Sequence, residues 1–380
     1  MLIEIHMLTN YPPTNLNRDD TGAPKTCLFG GENRARISSQ CLKHSWRTSP
    51  VFIDAVGAEN LGIRTRQLPE LVAEKLREEG VDPEWADMMK AKISGIANKA
   101  GKESKDGSTT AQMIFYAPED IAAVAGAVKG LLDDCSTLAD VKKLKAKSVL
   151  DAIKDAKTRP ITVDIALFGR MVTSDAFADV DGAMQVAHAV STNKVMLESD
   201  FFTAMDDLLA GDTMEDLGAG MMGETGYDSS CYYVYASVDT DELKKNLKNT
   251  PDADVLTEKI VPILVETMAY SDPGGKQNSF AGHPLPSAVL IECKEKKIPT
   301  SRANAFAKPV RPGYDADLIE RSIERLADET ARMDTKFGIP VAKRLWFTST
   351  EKEIPLPENC DGENCATFPD LIAALREVAK

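Results

Sequence analysis

Residues 2–8 read Leu2-Ile3-Glu4-Ile5-His6-Met7-Leu8, and residues 38–48 read Ser38-Ser39-Gln40-Cys41-Leu42-Lys43-His44-Ser45-Trp46-Arg47-Thr48. The first stretch alternates well enough to predict a strand. The second opens on a serine suited to cap a helix, and the helix is expected to run to about Thr48. On that helix Gln40, Lys43 and Arg47 fall at i, i+3 and i+7 and share a polar face. Leu42 and Trp46, four apart, face inward. The segment between strand and helix is polar and broken by Pro12, Pro13, Gly22 and Pro24, so it is expected to be a loop.

Further along, 183–190 alternates and places Met184, Val186, His188 and Val190 on one strand face. A β-branched and aromatic strand is expected at 232–238 and an apolar one at 287–293. A helix is expected at 253–270, kinked or split by Pro262. The order strand, helix, strand, strand, helix, strand is the split βαβ pattern. The expected fold class is therefore α+β, a ferredoxin-like palm with the topology of an RNA-recognition motif. Two insertions interrupt it. Residues 51–160 read as helical, at 68–79, 84–97, 118–133 and 138–157, with a polar loop at 101–110. Residues 192–230 are irregular, with five glycines and a methionine-rich tip at Met221-Met222. The expected domains are a palm at 1–50 and 161–310, an inserted helical domain at 51–160, and a C-terminal helical extension at 311–380 packing on the palm. That extension would hold helices near 316–333 and 369–380.

Composition sets bounds. The chain has 380 residues, 43% hydrophobic and 27% charged, which is globular and too apolar for wholesale disorder. No uncharged apolar run is long enough to span a membrane. The N-terminus carries Glu4 early and lacks a basic region, so a cytoplasmic location is expected. Seven cysteines, odd in number and widely spaced, do not form a disulfide framework. Cys360 and Cys365 are close together but have no second Cys/His pair for a zinc site.

The net charge is −14, yet residues 1–170 hold 24 basic and 23 acidic side chains, and the acid excess lies in 171–380. Between Arg18 and Arg47 there are six basic and three acidic residues. The N-terminal part is thus free to present a local basic face.

Two segments carry chemistry: Leu16-Asn17-Arg18-Asp19-Asp20, and Phe29-Gly30-Gly31-Glu32-Asn33-Arg34-Ala35-Arg36-Ile37-Ser38-Ser39-Gln40-Cys41-Leu42-Lys43. Glycines let a polymer backbone approach closely, and a helix N-terminus favours phosphate. Arg34 and Arg36, two apart on an extended segment, point the same way. With Lys43 and Arg47 they form a candidate phosphate track. The alternative is a solvated basic surface around a structural turn. Phe29-Gly30-Gly31 lacks P-loop spacing, and no nucleophile–base pair or metal-binding histidine pair is visible. His6 and His188 are expected as buried, hydrogen-bonded imidazoles. No catalytic residue, metal or cofactor is expected.

The two segments above, with DIALFGRM (164–171), VDGAMQVAHAVST (180–192), DFFTAMDDL (200–208) and PGGKQNSFAGHP (273–284), resemble the CasC-type backbone subunit (RAMP superfamily) of the type I-E CRISPR Cascade complex. The matches occur in that family's order from residue 2 to about 306. The resemblance implies a palm, helical fingers at about 51–160 and a thumb-like β-hairpin at about 192–230. It implies a non-catalytic scaffold that lines up in a helical row along CRISPR RNA and presents it to target DNA. The other Cascade subunits (CasA, CasB, CasD and CasE types) would be partners, and no membrane is involved. Carried over by residue, Arg18 and Lys25 would contact the guide backbone, and Lys43 and Arg47 would bind phosphate. Ser38, Ser39 and Gln40 would add hydrogen bonds, and Met171 would lie beside a displaced base. Lys276 and Gln277 would touch RNA or a neighbouring subunit. The alternatives are core packing for Met171, an ion pair to Asp19 or Asp20 for Arg18, and a plain turn for Lys276.

Two other readings stand beside this one. Related backbone subunits cut target RNA with an aspartate in the loop after the first strand. Asp19 and Asp20 occupy such a loop and could hold Mg²⁺ as a metal-dependent endoribonuclease. The third reading is a general single-strand RNA binder.

Overall fold

A computed structural model of the protein describes residues 1–97, 108–153, 155–204, 221–350, 354 and 361–378. The chain divides into two compact units. One comprises Met1–Phe52, Val186–Ser237 and Val261–Lys380, and the other Ile53–Gln185 and Val238–Ile260.

The first unit is built on a large sheet. Its strands include β1 (Leu2–Asn10), β2 (Thr26–Phe29), β3 (Glu32–Ile37), β4 (Ala189–Ser191), β7 (Cys231–Asp239), β8 (Ala288–Lys294), β9 (Lys343–Thr348) and β10 (Asp361–Cys365). A separate antiparallel hairpin, β5 (Glu198–Ala204) and β6 (Met221–Tyr227), lies between β4 and β7 in sequence. The sheet order is β10-β9-β8-β1-β7-β4-β3-β2. Its middle, β8-β1-β7-β4, places the fourth, first, third and second strands of the split βαβ pattern side by side. The ferredoxin-like expectation therefore holds. Helix α1 (Ser39–Arg47) follows β3, and helix α2 (Ala253–Tyr270) precedes β8. Pro262 lies inside α2, which continues through it as one element, so the expected split does not occur.

Eight of the nine residues of β1 are buried, as a central strand covered on both faces requires. Leu8 joins Tyr233, Tyr235, Leu290, Phe306 and Trp346 under Ile319, Ile323 and Leu326 of helix α3 (Leu318–Phe337). The same face also carries charge. Glu4 stands directly opposite Glu292 across the β1/β8 ladder, a like-charge pairing that is unfavourable alone. Cations offset it. Lys294 pairs with both carboxylates, Arg302 reaches Glu292 at 2.8 Å, and Arg344 reaches it at 2.5 Å. Arg344 also holds Asp334 at 2.8 Å. His6 completes the group with Tyr233 Oη at 2.8 Å, which bears out its expected burial.

Elsewhere the structure departs from the sequence reading. The expected strand at 183–190 is broken into Met184–Val186 and β4, and the N–H of Ala187 turns to the carbonyl of Tyr235. His188, in the break, is exposed rather than buried. The supposed loop between β1 and α1 holds the β2/β3 hairpin, which extends the sheet edge. The C-terminal stretch is not purely helical. It has helices α3 and α4 (Phe368–Val378), but β9 and β10 extend the sheet, because Leu345 and Trp346 are buried and Arg344 satisfies Glu292. Met221 and Met222 begin β6 instead of forming a tip. Residues 205–220 lie outside the described residues, as do 98–107 of the expected polar loop.

In the second unit, helices Leu68–Glu78, Pro83–Ile96 and Pro118–Asp133 close on the expected positions. They bury Val72, Leu76, Met89, Ile93, Val124 and Val128 in one cluster. The expected helix at 138–157 becomes Leu138–Lys143 and Ala146–Ala152. Leu144 adopts an extended ψ of 142° between them and packs on the same cluster.

Candidate nucleic-acid interface

The loop after β1 is shaped by two asparagines. Asn15 donates to the carbonyls of Gly22 at 3.1 Å and Gly226 at 2.7 Å, tying the loop to itself and to the base of the β5/β6 hairpin. The side-chain oxygen of Asn17 accepts from the N–H of Ser38 at 2.9 Å, which fixes the loop against the start of α1. The 273–284 loop closes from the other side. Gln277 donates to the carbonyls of Pro273 and Gly282 and pins the loop shut. A Cβ at Gly275 would fall 2.3 Å from the carbonyl oxygen of Leu16, so only glycine permits this approach. Phe280 meets Tyr227 of β6 with ring centroids 5.6 Å apart.

These contacts bring Arg18, Lys276 and the hairpin residues Glu198 and Glu224 to one cleft of about 430 Å³. Arg18 is exposed, and among the described residues none pairs with its guanidinium. The ion pair to Asp19 that was the alternative reading for Arg18 does not form, because Asp19 Oδ1 accepts instead from Thr21 N, Thr21 Oγ1 and Ala23 N. These bonds, led by the Thr21 hydroxyl, lower the Asp19 pKa. Lys25 sits beside Arg36 across the hairpin, where Arg36 N donates to the Lys25 carbonyl at 2.8 Å. The Arg36 guanidinium donates to His188 Nδ1 at 3.0 Å. Arginine has no acceptor, so Nδ1 must accept and the imidazole is neutral. Burial, then the charges of Arg36 and Lys25, lower the His188 pKa.

At the helix start, Ser38 is buried and its Oγ accepts from Cys41 N at 3.3 Å. The N–H groups of Ser39 and Gln40 lie in the first turn, which has no intrahelical acceptor for them. Lys43 follows one turn later and Arg47 one turn after that, both half-buried. Partial burial lowers the Lys43 pKa. Leu42 and Trp46 face the core as expected.

Two expected contacts are corrected. Arg34 is fully buried and does not point outward with Arg36. Its two terminal nitrogens donate to the carbonyls of Ser191, Thr192, Phe306 and Ala307 at 2.7–3.1 Å. Ser38 is likewise consumed as the N-cap. Both hold the surface up and neither is open to a ligand.

A family model for CT1975-like proteins matches residues 3–374. The chain belongs to the CT1975-like protein family. A search of curated proteins finds no match for this CT1975-like chain. Among solved structures, one similar chain is described as "CRISPR RNA-guided surveillance complex, pre-nicking". It is 27% identical, with a TM-score of 0.82 and 100% of both chains covered. A second, described as "CRISPR RNA-guided surveillance complex", is 24% identical with a TM-score of 0.70, again with 100% of both chains covered, and shows the fold alone.

In the second unit of this CT1975-like chain, Met171 is 90% exposed, which excludes the core-packing reading. Its neighbour Arg170 is buried and anchors Asp120 at 2.5 Å, with Arg159 on the same carboxyl at 2.8 Å. The thioether is therefore held outward by a rigid base. Asn15, Asn17, Gln277 and Gly275 do the positioning, and of these only Gln277 was singled out from sequence, as a candidate RNA or subunit contact. The signal for Asn17 and Gln277 was present in the LNRDD and PGGKQ segments, as polar side chains able to satisfy loop backbone, whereas Asn15 lies just ahead of LNRDD.

Proposed function

We propose that this chain is the guide-RNA-binding backbone subunit of a type I-E CRISPR surveillance complex, of the CasC type. Copies would line up along CRISPR RNA in the cytoplasm with CasA-, CasB-, CasD- and CasE-type partners and present the guide for pairing with target DNA. What supports this reading is that separate basic segments of the first unit are linked to one another through their loops. Arg18, Lys25, Arg36, the open helix start at Ser39 and Gln40, and Lys276 are tied together by Asn15, Asn17 and Gly275. The side chains are mainly cations, with hydrogen-bond donors at the helix start, which suits backbone contact at any sequence. Whole-chain likeness to chains from CRISPR RNA-guided surveillance complexes supports it.

We further propose that the subunit does not cut RNA. Asp19 is already bonded within its own turn, and among the described residues no group of three or more His, Cys, Asp or Glu is placed to hold a metal ion. Incubating the guide complex with complementary RNA and Mg²⁺ checks this. Regular cuts lost in Asp19→Ala or Asp20→Ala would overturn it. For the main reading, the protein isolated from its host should carry repeat-derived RNA of uniform length. Heterogeneous cellular RNA, or none, would refute it.

A further inference from the structure

The Phe29-Gly30-Gly31 turn and Arg34 take no part in the guide surface, yet both are built with care. Gly30 has φ +60°, and a Cβ there would lie 1.7 Å from the carbonyl oxygen of Ala307. Arg34 grips the carbonyls of Phe306 and Ala307 from the other side, and Val310 N donates to the Thr192 carbonyl at 2.8 Å. The segment 306–310 is thus fixed to the β2/β3 hairpin and to the end of β4. This rigid wall and the first turns of α3 enclose a cleft of about 770 Å³.

Four cations line the cleft, Lys308, Arg311, Arg321 and Arg325, against two acids, Glu32 and Glu324. One of those acids is already committed, since Glu32 pairs with Lys194 at 2.8 Å. Arg321 holds Asp315 at 2.7 Å, which folds the 311–317 loop onto α3, with Gly313 against the guanidinium. Lys308, Arg311 and Arg325 are exposed, and among the described residues Lys308 and Arg325 have no acidic partner. In the folded loop stands Tyr314, with relative exposure of 109%, the most exposed large hydrophobic side chain described. In a chain of net charge −14 the cleft thus keeps two exposed cations, Lys308 and Arg325, without an acidic partner among the described residues, near an exposed ring.

We propose that this cleft is a second single-strand nucleic-acid site, distinct from the guide surface. Lys308, Arg311 and Arg325 would hold phosphates, and Tyr314 would stack on a base. Cations along a groove with a projecting aromatic ring are what sequence-tolerant single-strand binding requires. The site lies at the turn of the β2/β3 hairpin, whereas Lys25 and Arg36 lie at its open end. Strand rise separates them by roughly 15 Å. The inference does not depend on what the guide is, only on the guide surface being occupied separately.

The test uses the purified complex already loaded with guide. Fluorescent oligo-dT with no complementarity to the guide is titrated in at several salt concentrations, and anisotropy is read. Binding is expected, weakening steeply with salt. The double variant Arg311→Ala/Arg325→Ala should lower affinity by roughly tenfold. Tyr314→Ala should lower it by roughly tenfold as well, while Tyr314→Phe retains it. Guide content, from the absorbance ratio, should stay unchanged in all three, which separates failure here from failure of the guide surface. Absence of oligo-dT binding, or binding indifferent to these variants, overturns the proposal. So does loss of a protein subunit from the complex in the variants, which would mark the cleft as a protein-docking surface.

Discussion

Two arginines sixteen residues apart show how one residue type serves opposite ends. Arg34 spends its guanidinium on four carbonyls inside the protein, whereas Arg18 spends none on the described residues. Arg34→Lys keeps the charge but loses the planar fork that bridges two chain segments, and buried carbonyls lose their donors. The expected cost is about 3 kcal/mol of stability, measured as a fall in the urea midpoint. Arg18→Ala should change stability by less than about 0.5 kcal/mol and instead weaken guide binding, read by filter binding. If Arg18→Ala unfolds the chain and Arg34→Lys does not, the two roles are reversed. The same contrast explains what sequence could show. Arg34 and Arg36 alternate identically on an extended segment, and nothing in that spacing says that one side is covered by residues 306–307. Leu42 and Trp46 were legible because helical periodicity is local.

At the level of elements, the central strands carry a titratable core. Burial lowers the His6 pKa below its ordinary 6.5, outweighing Glu292 and Glu4. Burial would raise the Glu292 carboxyl, but the His6 contact and the charges of Arg302 and Arg344 hold it well below its ordinary 4.5. Both shifts have the same sign for stability. The folded state resists protons that the unfolded chain accepts, so stability is fully present above 6.5. It falls as His6 is driven to protonate below 6.5, and falls again as Glu292 is driven below 4.5. Urea melts from pH 8 to pH 4 should show this, and His6→Phe should flatten the limb just below 6.5. An unchanged limb would place the sensitivity elsewhere. The β2/β3 hairpin makes a second prediction at this scale. Gly30→Ala puts a methyl into the Ala307 carbonyl at an unfavourable φ and should cost about 2 kcal/mol or more. The strand pattern itself was legible from alternation. The break at Ala187 was not, because it answers to Tyr235, a partner forty-eight residues away.

For the molecule as a whole, guide binding should be electrostatic and indifferent to spacer sequence. Lys43→Ala or Arg47→Ala should weaken binding about equally for all spacers and reduce the salt slope by roughly one unit each. Losses confined to particular spacers would contradict backbone contact. Mixing protein and guide should give rows of increasing length by light scattering, and a strict one-to-one complex at all ratios would end the stacking proposal. The topology was readable because each element declares its period. The β9 and β10 extension was missed because two short strands in a charged C-terminal stretch declare almost nothing until β8 offers β9 an edge and β9 offers one to β10.

The position of β1 has a consequence for biosynthesis. Its two neighbours, β7 and β8, are made more than two hundred residues later, and two of the four carbonyls that satisfy Arg34, those of Phe306 and Ala307, come later still. On the ribosome the first strand therefore emerges with both edges bare and its one acid, Glu4, unneutralised. Nascent chains halted before about residue 310 should remain protease-sensitive through their first forty residues, however long they wait. Protection should appear only once the distant segments have been translated.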